Sequence, residues 1–370
     1  MKLLLVSGSF YYGIKSWIFH VHCVMLAVLL AICIISIVVA MKYDITTLGG
    51  AVEDITFYTP EARVIDNHQE VLCQKLLAFE YGAKIRVNAV KATFGGGAAN
   101  VAVAGERMGL KTACICAVGD DERGTRILKN LHANGVATAW AQEYKGEQST
   151  FSFVLVGPGN KHTIFSYNGA KTRLRVTKTD LAKIDTVFLH ITSLSGKWRD
   201  VLKNVFAQAN RYRISWNPGH VQLTDEPQLV RHYLKHTEVV LLNKDEAAEL
   251  VASDTTLMRG KVKNAAFLDK IKNLVTAIHS YGPKIVVITH GKTGADAYDG
   301  VRLYHADILP EKKRVDTTGI GDAFGAGFIS GLRLYDYDIE RALQLGMRNA
   351  ASVITKHGAQ NGLLKLRKKQ

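Results

Sequence analysis

Few cysteines, and no glycine motif of the two commonest nucleotide-binding kinds, narrow the chemistry open to this chain. Of 370 residues five are cysteine: Cys23, Cys33, Cys73, Cys114 and Cys116. Cys114 and Cys116 stand two apart in a stretch that reads as a strand, so they share a face and do not bridge each other. No second Cys/His pair stands at zinc-finger spacing. The pattern is that of buried free thiols in a reducing compartment. A dinucleotide fingerprint is missing, because Gly319-x-Gly321 has Phe324 where the third glycine belongs. A P-loop is missing too: Gly291-Lys292-Thr293 resembles its end, but Val286 occupies the place of its first glycine. The chain also lacks internal repeats, low-complexity tracts and long linkers.

What is present suits one large α/β domain or two small ones. The net charge is +14, spread along the chain with small clusters at Lys312-Lys313-Arg314 and from Lys365 to Lys369. Such a balance invites a nucleic-acid partner. No aromatic-basic module or recognition helix accompanies it, so no nucleic-acid binding is expected. The Arg367-Lys368-Lys369 tail reads as a solvated terminus.

The segment from Asp316 to Phe328, DTTGIGDAFGAGF, is the most informative stretch. Gly319 and Gly321 let a loop bend where it turns into a helix. The amides of Gly319, Ile320 and Gly321 can then converge beside the positive end of that helix and attract an anion such as phosphate. Asp322 stands at the mouth of this site. A phosphate would repel it, unless its task is to take a proton from a hydroxyl that attacks phosphorus. By itself the segment reads equally well as a glycine-rich helix start with an N-capping aspartate.

A second glycine cluster, Phe94-Gly-Gly-Gly-Ala-Ala-Asn100, precedes a helical run, the strand-like stretch from Thr112 to Val118, and then Gly119-Asp120-Asp121-x-x-Gly124. Together the two clusters resemble the two signatures of the ribokinase/PfkB family of carbohydrate and nucleoside kinases. Further landmarks follow in order: Gly49-Gly50-Ala-Val-Glu-Asp54, Asn243-Lys-Asp-Glu246, Thr289-His-Gly291-Lys-Thr-Gly294, Asn349 within Arg-Asn-Ala-Ala, and Gly358-Ala-Gln360. The resemblance covers about Met41 to the C-terminus.

The resemblance implies a ribokinase-like three-layer α/β fold, with a mostly parallel central sheet flanked by helices and a small β-sheet lid. It implies an ATP-dependent kinase acting on a small sugar or nucleoside, with Mg2+ accompanying ATP. Asp322 becomes the general base and the amides of 319–321 the anion hole. Asp54, Gly96 and Asn100 bind the acceptor. Asn243, Glu246, Thr289, Gly291, Gly294 and Asn349 border the nucleotide, with Glu246 reaching magnesium through water. Asp316 and Thr318 match a monovalent-cation site, K+ in some relatives, and a homodimer through the lid is compatible with the family. The chain departs from ribokinase in lacking the lysine of GGKGAN and in having Val52 where an asparagine precedes the substrate aspartate. It also shows no pocket glutamate near Ile191-Thr-Ser193. Another sugar, a sugar acid or a nucleoside stays open, as does a phosphorylated sugar held by Lys84, Arg86 and Lys91. A non-catalytic sensor on the same fold is the rival class, and the intact Asp322 loop argues against it.

Residues 1–40 form an apolar extension. Trp17 to Met41 carries no acid, lysine or arginine, and is long enough to span a bilayer. Lys2, Lys15 and the amino terminus precede the span, and the positive-inside rule would send the kinase away from ATP. Met41-Lys-Tyr-Asp-Ile-Thr-Thr-Leu-Gly-Gly50 reads as the natural opening of a family member. The expectation is therefore a cytoplasmic kinase domain over 41–370 whose translation starts at Met41. A membrane anchor over residues 17–41 is the alternative if residues 1–40 are translated.

Short apolar or β-branched runs from Thr186 to Ile191, Arg213 to Asn217, Val239 to Asn243 and Lys284 to Thr289 alternate with helical stretches, which predicts a parallel sheet wrapped by helices. Ligands then sit at the C-terminal strand ends. The last helices are expected over 321–334 and 339–356. Lys84 to Val90, Phe151 to Leu155 and His162 to Tyr167 alternate as half-exposed strands do. They supply a lid drawn from about 51–93 and 149–168.

Overall fold

The computed structural model describes residues 43–66, 75–157, 162–259, 265–310 and 313–366. The apolar stretch before Met41, and with it the question of an anchor or an upstream start, lies outside these residues. Among the described residues no helix is long and apolar enough to cross a membrane.

The main sheet has eight strands in the spatial order Leu303–Ala306, Ala295–Tyr298, Ile285–Thr289, Val239–Asn243, Arg213–Trp216, Thr186–Ile191, Tyr43–Leu48 and Thr112–Ile115. Six of these run parallel, and the hairpin 295–306 adds two antiparallel strands at one edge. The strands Val239–Asn243 and Ile285–Thr289 are almost continuous apolar runs because both faces are covered. Leu189, Val240, Leu242, Val286 and Ile288 pack into one layer; Phe188, Val239, Leu241, Ile285 and Val287 alternate into the other. The first layer is closed by helices such as Trp198–Phe206, which buries Trp198, Val201, Leu202, Val205 and Phe206 along one stripe. The second is closed by Ile320–Leu334 and Ile339–Val353. Small residues bring these last two helices very close. A Cβ on Gly327 would lie 2.8 Å from the Gly346 Cα, and one on Gly331 would lie 2.6 Å from the Ala342 Cα. This contact fixes the helix that begins at Ile320, and therefore fixes what stands at its N-terminus.

A second, four-stranded sheet runs in the order His162–Tyr167, Phe151–Val156, Val52–Tyr58, Ala89–Gly95. Its strand Val52–Tyr58 continues from Tyr43–Leu48 of the main sheet through Gly49-Gly50-Ala51, and Ala89–Gly95 leads into helix Gly97–Arg107. Glu53 clamps the sheet to helix Glu122–Ala133. Its carboxylate is 2.8 Å from both Arg123 Nε and Arg126 Nε and is almost fully buried. The side chains of Val90, Ile164, Phe165 and Tyr167 are exposed.

Two expectations need correction. The strand read from Lys84 to Val90 begins only at Ala89; residues 84–88 are irregular and mostly exposed, and Arg86 N and Asn88 N bond to the Glu61 carboxylate and the Tyr58 carbonyl instead. The last helix stops at Val353 rather than reaching Lys356. Cys114 and Cys116 are buried free thiols, as their spacing indicates.

Candidate active site

Helix Ile320–Leu334 starts from Gly319, whose φ of 74° is left-handed. The glycine is required twice over: an L-residue is strained at this angle, and a Cβ would lie 2.5 Å from Ala359 Cβ. The first helical bond is donated by Ala323 N to Gly319 O. The amides before it, at Ile320, Gly321 and Asp322, have no intrahelical acceptor and face outward with the positive end of the helix. Around a Cβ built on Gly321 nothing lies within 4 Å. That empty space is the mouth of a cavity of about 130 Å³, lined among others by Asp322, Asn243, Glu246, Thr289, His190 and Asn217.

Asp322 is held by a chain of amides from three parts of the fold. Asn100 Nδ2 donates to Asp322 Oδ2 at 2.8 Å. Gln360 Nε2 donates to Asn100 Oδ1 at 3.1 Å, and Asn130 Nδ2 donates to Gln360 Oε1 at 2.8 Å. Each carboxamide is thereby fixed in orientation, so Asn100 must present its N–H groups to Asp322. Burial raises the Asp322 pKa above the usual carboxylate value, and the Asn100 bond opposes that rise. A carboxylate so placed can accept a proton from a hydroxyl beside a helix N-terminus.

Asn243 and Glu246 form a reciprocal cap on helix Lys244–Ala252: Asn243 Oδ1 accepts from Glu246 N at 2.8 Å, and Glu246 Oε2 accepts from Asn243 N at 2.9 Å. The cap orients both side chains at the cavity wall. Register pairs Asn243 with Thr289, so these two strand ends meet there. Burial raises the Glu246 pKa. Gly291 and Lys292 line a separate, mainly apolar cavity of about 200 Å³ with Ile308, Ile320, Met347 and Ile354. Gly294, at φ 98°, packs against the Ala306 carbonyl and shapes the turn.

In the second sheet, Asp54 stands in register with Ser152 and Thr93. Its pKa is raised to about 6, mainly by burial and further by the charges of Asp316 and Glu53, against a hydrogen bond from Ser152. The backbone approaches this carboxylate closely at Gly95, where a Cβ would lie 2.3 Å from Asp54 Oδ2. Gly96 serves a different end: at φ 91° it packs on the Gly50 carbonyl, 2.5 Å from where a Cβ would be. Asp316 ties loops together. Its Oδ1 accepts from the Thr318 amide and hydroxyl, and its Oδ2 from Gly358 N at 2.8 Å. Burial pushes its pKa up, but these bonds outweigh burial and keep it below the usual value.

The structure therefore gathers Asp322, Gly321, Asn243, Glu246 and Thr289 around one cavity and sets Asn100 against the Asp322 carboxylate. Asn349 lines neither cavity; it is fully buried, donating to Ala323 O at 2.7 Å and accepting from Leu364 N at 2.9 Å. Its carboxamide staples the last helix to the Asp322 helix. Sequence reading missed His190, Asn130 and the Gln360 contact. His190 is buried, bonded to Ser215 Oγ at 2.7 Å, and burial lowers its pKa to about 4, so it faces the cavity neutral. It stands in an apolar strand and carries no sequence signal.

Comparison with known proteins identifies the family. Residues 69–366 match the pfkB family of carbohydrate kinases. An ATP-dependent 6-phosphofructokinase of Thermoanaerobacterium thermosaccharolyticum is 24% identical over 335 residues, covering 86% of this chain and 90% of the relative. A ribokinase of Haemophilus influenzae is 28% identical over 280 residues, covering 73% and 84%. The structure of a Burkholderia thailandensis nucleoside kinase in complex with inosine superposes with a TM-score of 0.68 at 17% identity, covering 86% of this chain and 94% of that one. That last likeness concerns the fold.

Proposed function

This chain belongs to the pfkB family of carbohydrate kinases, phosphotransferases with an alcohol group as acceptor, and from that premise we propose that it transfers the γ-phosphate of ATP to a hydroxyl of a sugar. One observation carries the reading: Asp322 stands in the first turn of a helix whose first amides are unspent, is oriented by Asn100, and shares a cavity with Asn243, Glu246 and Thr289. In this reading Asp322 takes the proton of the attacking hydroxyl. Of the 319–321 loop, the free amides of Ile320 and Gly321 hold the charge on the transferred phosphoryl group. Asp54, close to Gly95 and Ser152, binds acceptor hydroxyls. The apolar cavity beside Ile320 and Met347 suits the nucleobase of ATP, with Thr289, Gly291 and Gly294 along its approach. The four-stranded sheet acts as a lid that keeps water from competing with the acceptor. Asp316, kept ionised by its hydrogen bonds, suits a neighbouring K+. The donor implies action in the cytoplasm.

The donor set also fits magnesium. Asn243, Glu246 and Asp322 offer oxygens around a solvent-connected cavity, without a dense carboxylate cage, and Glu246 Oε2 is the oxygen spent on the cap. Bound with the nucleotide, the ion neutralises phosphate charge. Glu246→Gln keeps the cap but loses the negative charge. The magnesium concentration for half-maximal rate is expected to rise about tenfold or more, as for changes around a metal's bound water, with acceptor KM little altered. An unchanged magnesium titration would remove Glu246 from this role.

Acceptor binding should follow the charge of Asp54. With its pKa near 6, the carboxylate is ionised at neutral pH and protonates as pH falls through that value. The acceptor dissociation constant, measured without nucleotide, is expected to rise below pH 6, and Asp54→Asn should abolish this dependence. The linkage also has a sign: the folded value exceeds the unfolded value of about 3.9, so the group's contribution to stability declines as pH rises through the window between them.

A second reading has its own observation. Beyond Asp54, a cavity of about 440 Å³ is lined by Tyr58, Val154, Val156, Asp316 and His357, and the Tyr58 hydroxyl bonds His357 Nδ1 at 3.0 Å. Space and rings of this kind also suit the base of an adenosine-like nucleoside. The deciding experiment compares kcat/KM with ATP and magnesium across hexoses, pentoses, sugar acids, phosphosugars and nucleosides. The proposal expects a sugar to rank first; a nucleoside ahead of every sugar would replace it with the second reading.

A further inference from the structure

Away from Asp322, three side chains converge at the edge of the main sheet. The hairpin register sets Asp296 directly opposite His305. The turn Gly291–Thr293 brings His290 over the same point. Asp296 is 6% exposed and reaches both rings: Oδ2 is 2.5 Å from His290 Nε2, and Oδ1 is 3.0 Å from His305 Nδ1. The rings stack 5.9 Å apart, 18° from parallel. Their inner nitrogens and the carboxylate lie within 4.8 Å of one another.

The outer nitrogens are engaged as well. His290 Nδ1 lies 2.5 Å from Thr293 Oγ1, and His305 Nε2 lies 3.3 Å from Asp307 Oδ1. Counting protons then constrains the centre. The Thr293 hydroxyl donates to the His290 carbonyl at 2.9 Å, so its oxygen accepts and His290 Nδ1 carries the hydrogen. With the Asp307 oxygen as acceptor, His305 Nε2 carries a hydrogen too. A neutral imidazole has one N–H. Both inner nitrogens would therefore aim lone pairs at the Asp296 carboxylate, which is repulsive. A positive charge between them removes that repulsion. Two extra protons would make two stacked imidazolium rings sharing one carboxylate. One dication satisfies both nitrogens and the carboxylate at once.

We infer that His290, Asp296 and His305 form a binding site for a transition-metal dication of the Zn2+ class, separate from the magnesium that accompanies ATP. Two imidazoles and one carboxylate suit Zn2+ or Co2+, whereas Mg2+ and Ca2+ prefer all-oxygen sites. Oxygens holding the far nitrogen of each ring are the usual supports of ligating histidines. The side chain of His305 is 45% exposed, which leaves an approach for the ion and for a water as fourth ligand. Occupied, the site ties the loop of Thr289, Gly291 and Gly294 to the edge hairpin and stiffens that side of the cavity.

The test uses the untagged full chain, stripped with chelator and free of nucleotide. Titration with Co2+ is expected to give the visible absorption of a tetrahedral ion at one equivalent per chain, undisturbed by excess Mg2+ and displaced by Zn2+. His305→Gln should weaken uptake about a hundredfold, and Asp307→Asn about tenfold, the scale for removing a support. Zn2+ should raise the Tm of the wild type and leave that of His305→Gln unmoved. No Co2+ uptake by the wild type overturns the site and leaves protons as the buried charge. Wild-type affinity in His305→Gln overturns the ligand assignment. Should that variant fail to fold, wild-type affinity in Asp307→Asn, altered only at an exposed carboxylate, counts against the site.

Discussion

Replacing Asp322 with asparagine is expected to lower kcat by at least about a hundredfold, equivalent to about 2.7 kcal/mol, while ATP affinity stays close to wild type. The substitution keeps the shape of the side chain and removes its ability to take a proton. Asn100 can still approach, because an asparagine oxygen at position 322 accepts the same bond. Burial raises the Asp322 pKa, so the acid limb of the wild-type kcat profile should lie above the ordinary carboxylate range and disappear from the residual activity of the variant. Turnover near the wild-type rate would remove the general base from the account.

The second large effect is expected from a residue without a side chain. Gly321→Val should reduce kcat/KM for ATP on the order of a hundredfold, the scale for disabling an oxyanion donor. A Cβ at Gly321 meets nothing within 4 Å, and the position is exposed in the first turn of its helix at the cavity mouth. The valine therefore fits the fold and fills the space that the anion needs. Its Tm should not fall, since valine is a better helix residue than glycine. Gly319 makes the contrast: at φ 74° and with Ala359 Cβ 2.5 Å from a built Cβ, Gly319→Ala is expected to lose stability together with activity. A folded Gly321→Val variant with unchanged kinetics would make the loop merely structural.

These two residues were readable because the information is local. A turn, its glycines and the carboxylate after them lie within a few positions, and the helix that follows is equally local. Parallel strands such as Val239–Asn243 were legible as apolar runs ending in polar residues. The second sheet was legible only in part, because half-exposed strands give weak alternation and the Lys84 stretch alternates without pairing. The support of Asp322 was not legible. Asn100, Asn130 and Gln360 come from two helices and a C-terminal loop, and no spacing in the sequence places them side by side. Asn349 shows the converse: it matched a motif as a nucleotide neighbour, yet spends its carboxamide on Ala323 and Leu364. The cluster of His290, Asp296 and His305 shows no zinc spacing in sequence because a hairpin register, not a short repeat, brings its members together.

The most direct measurement follows both products of one reaction. The chain is incubated with ATP, magnesium and its best acceptor, and ADP and acceptor phosphomonoester are quantified together by 31P NMR, with Asp322→Asn in parallel. One ester per ADP is expected in the wild type and almost none of either in the variant. ADP without ester would mean ATP hydrolysis. Intact ATP and acceptor binding without any ADP would mean a sensor on a kinase fold. Either result would contradict the account.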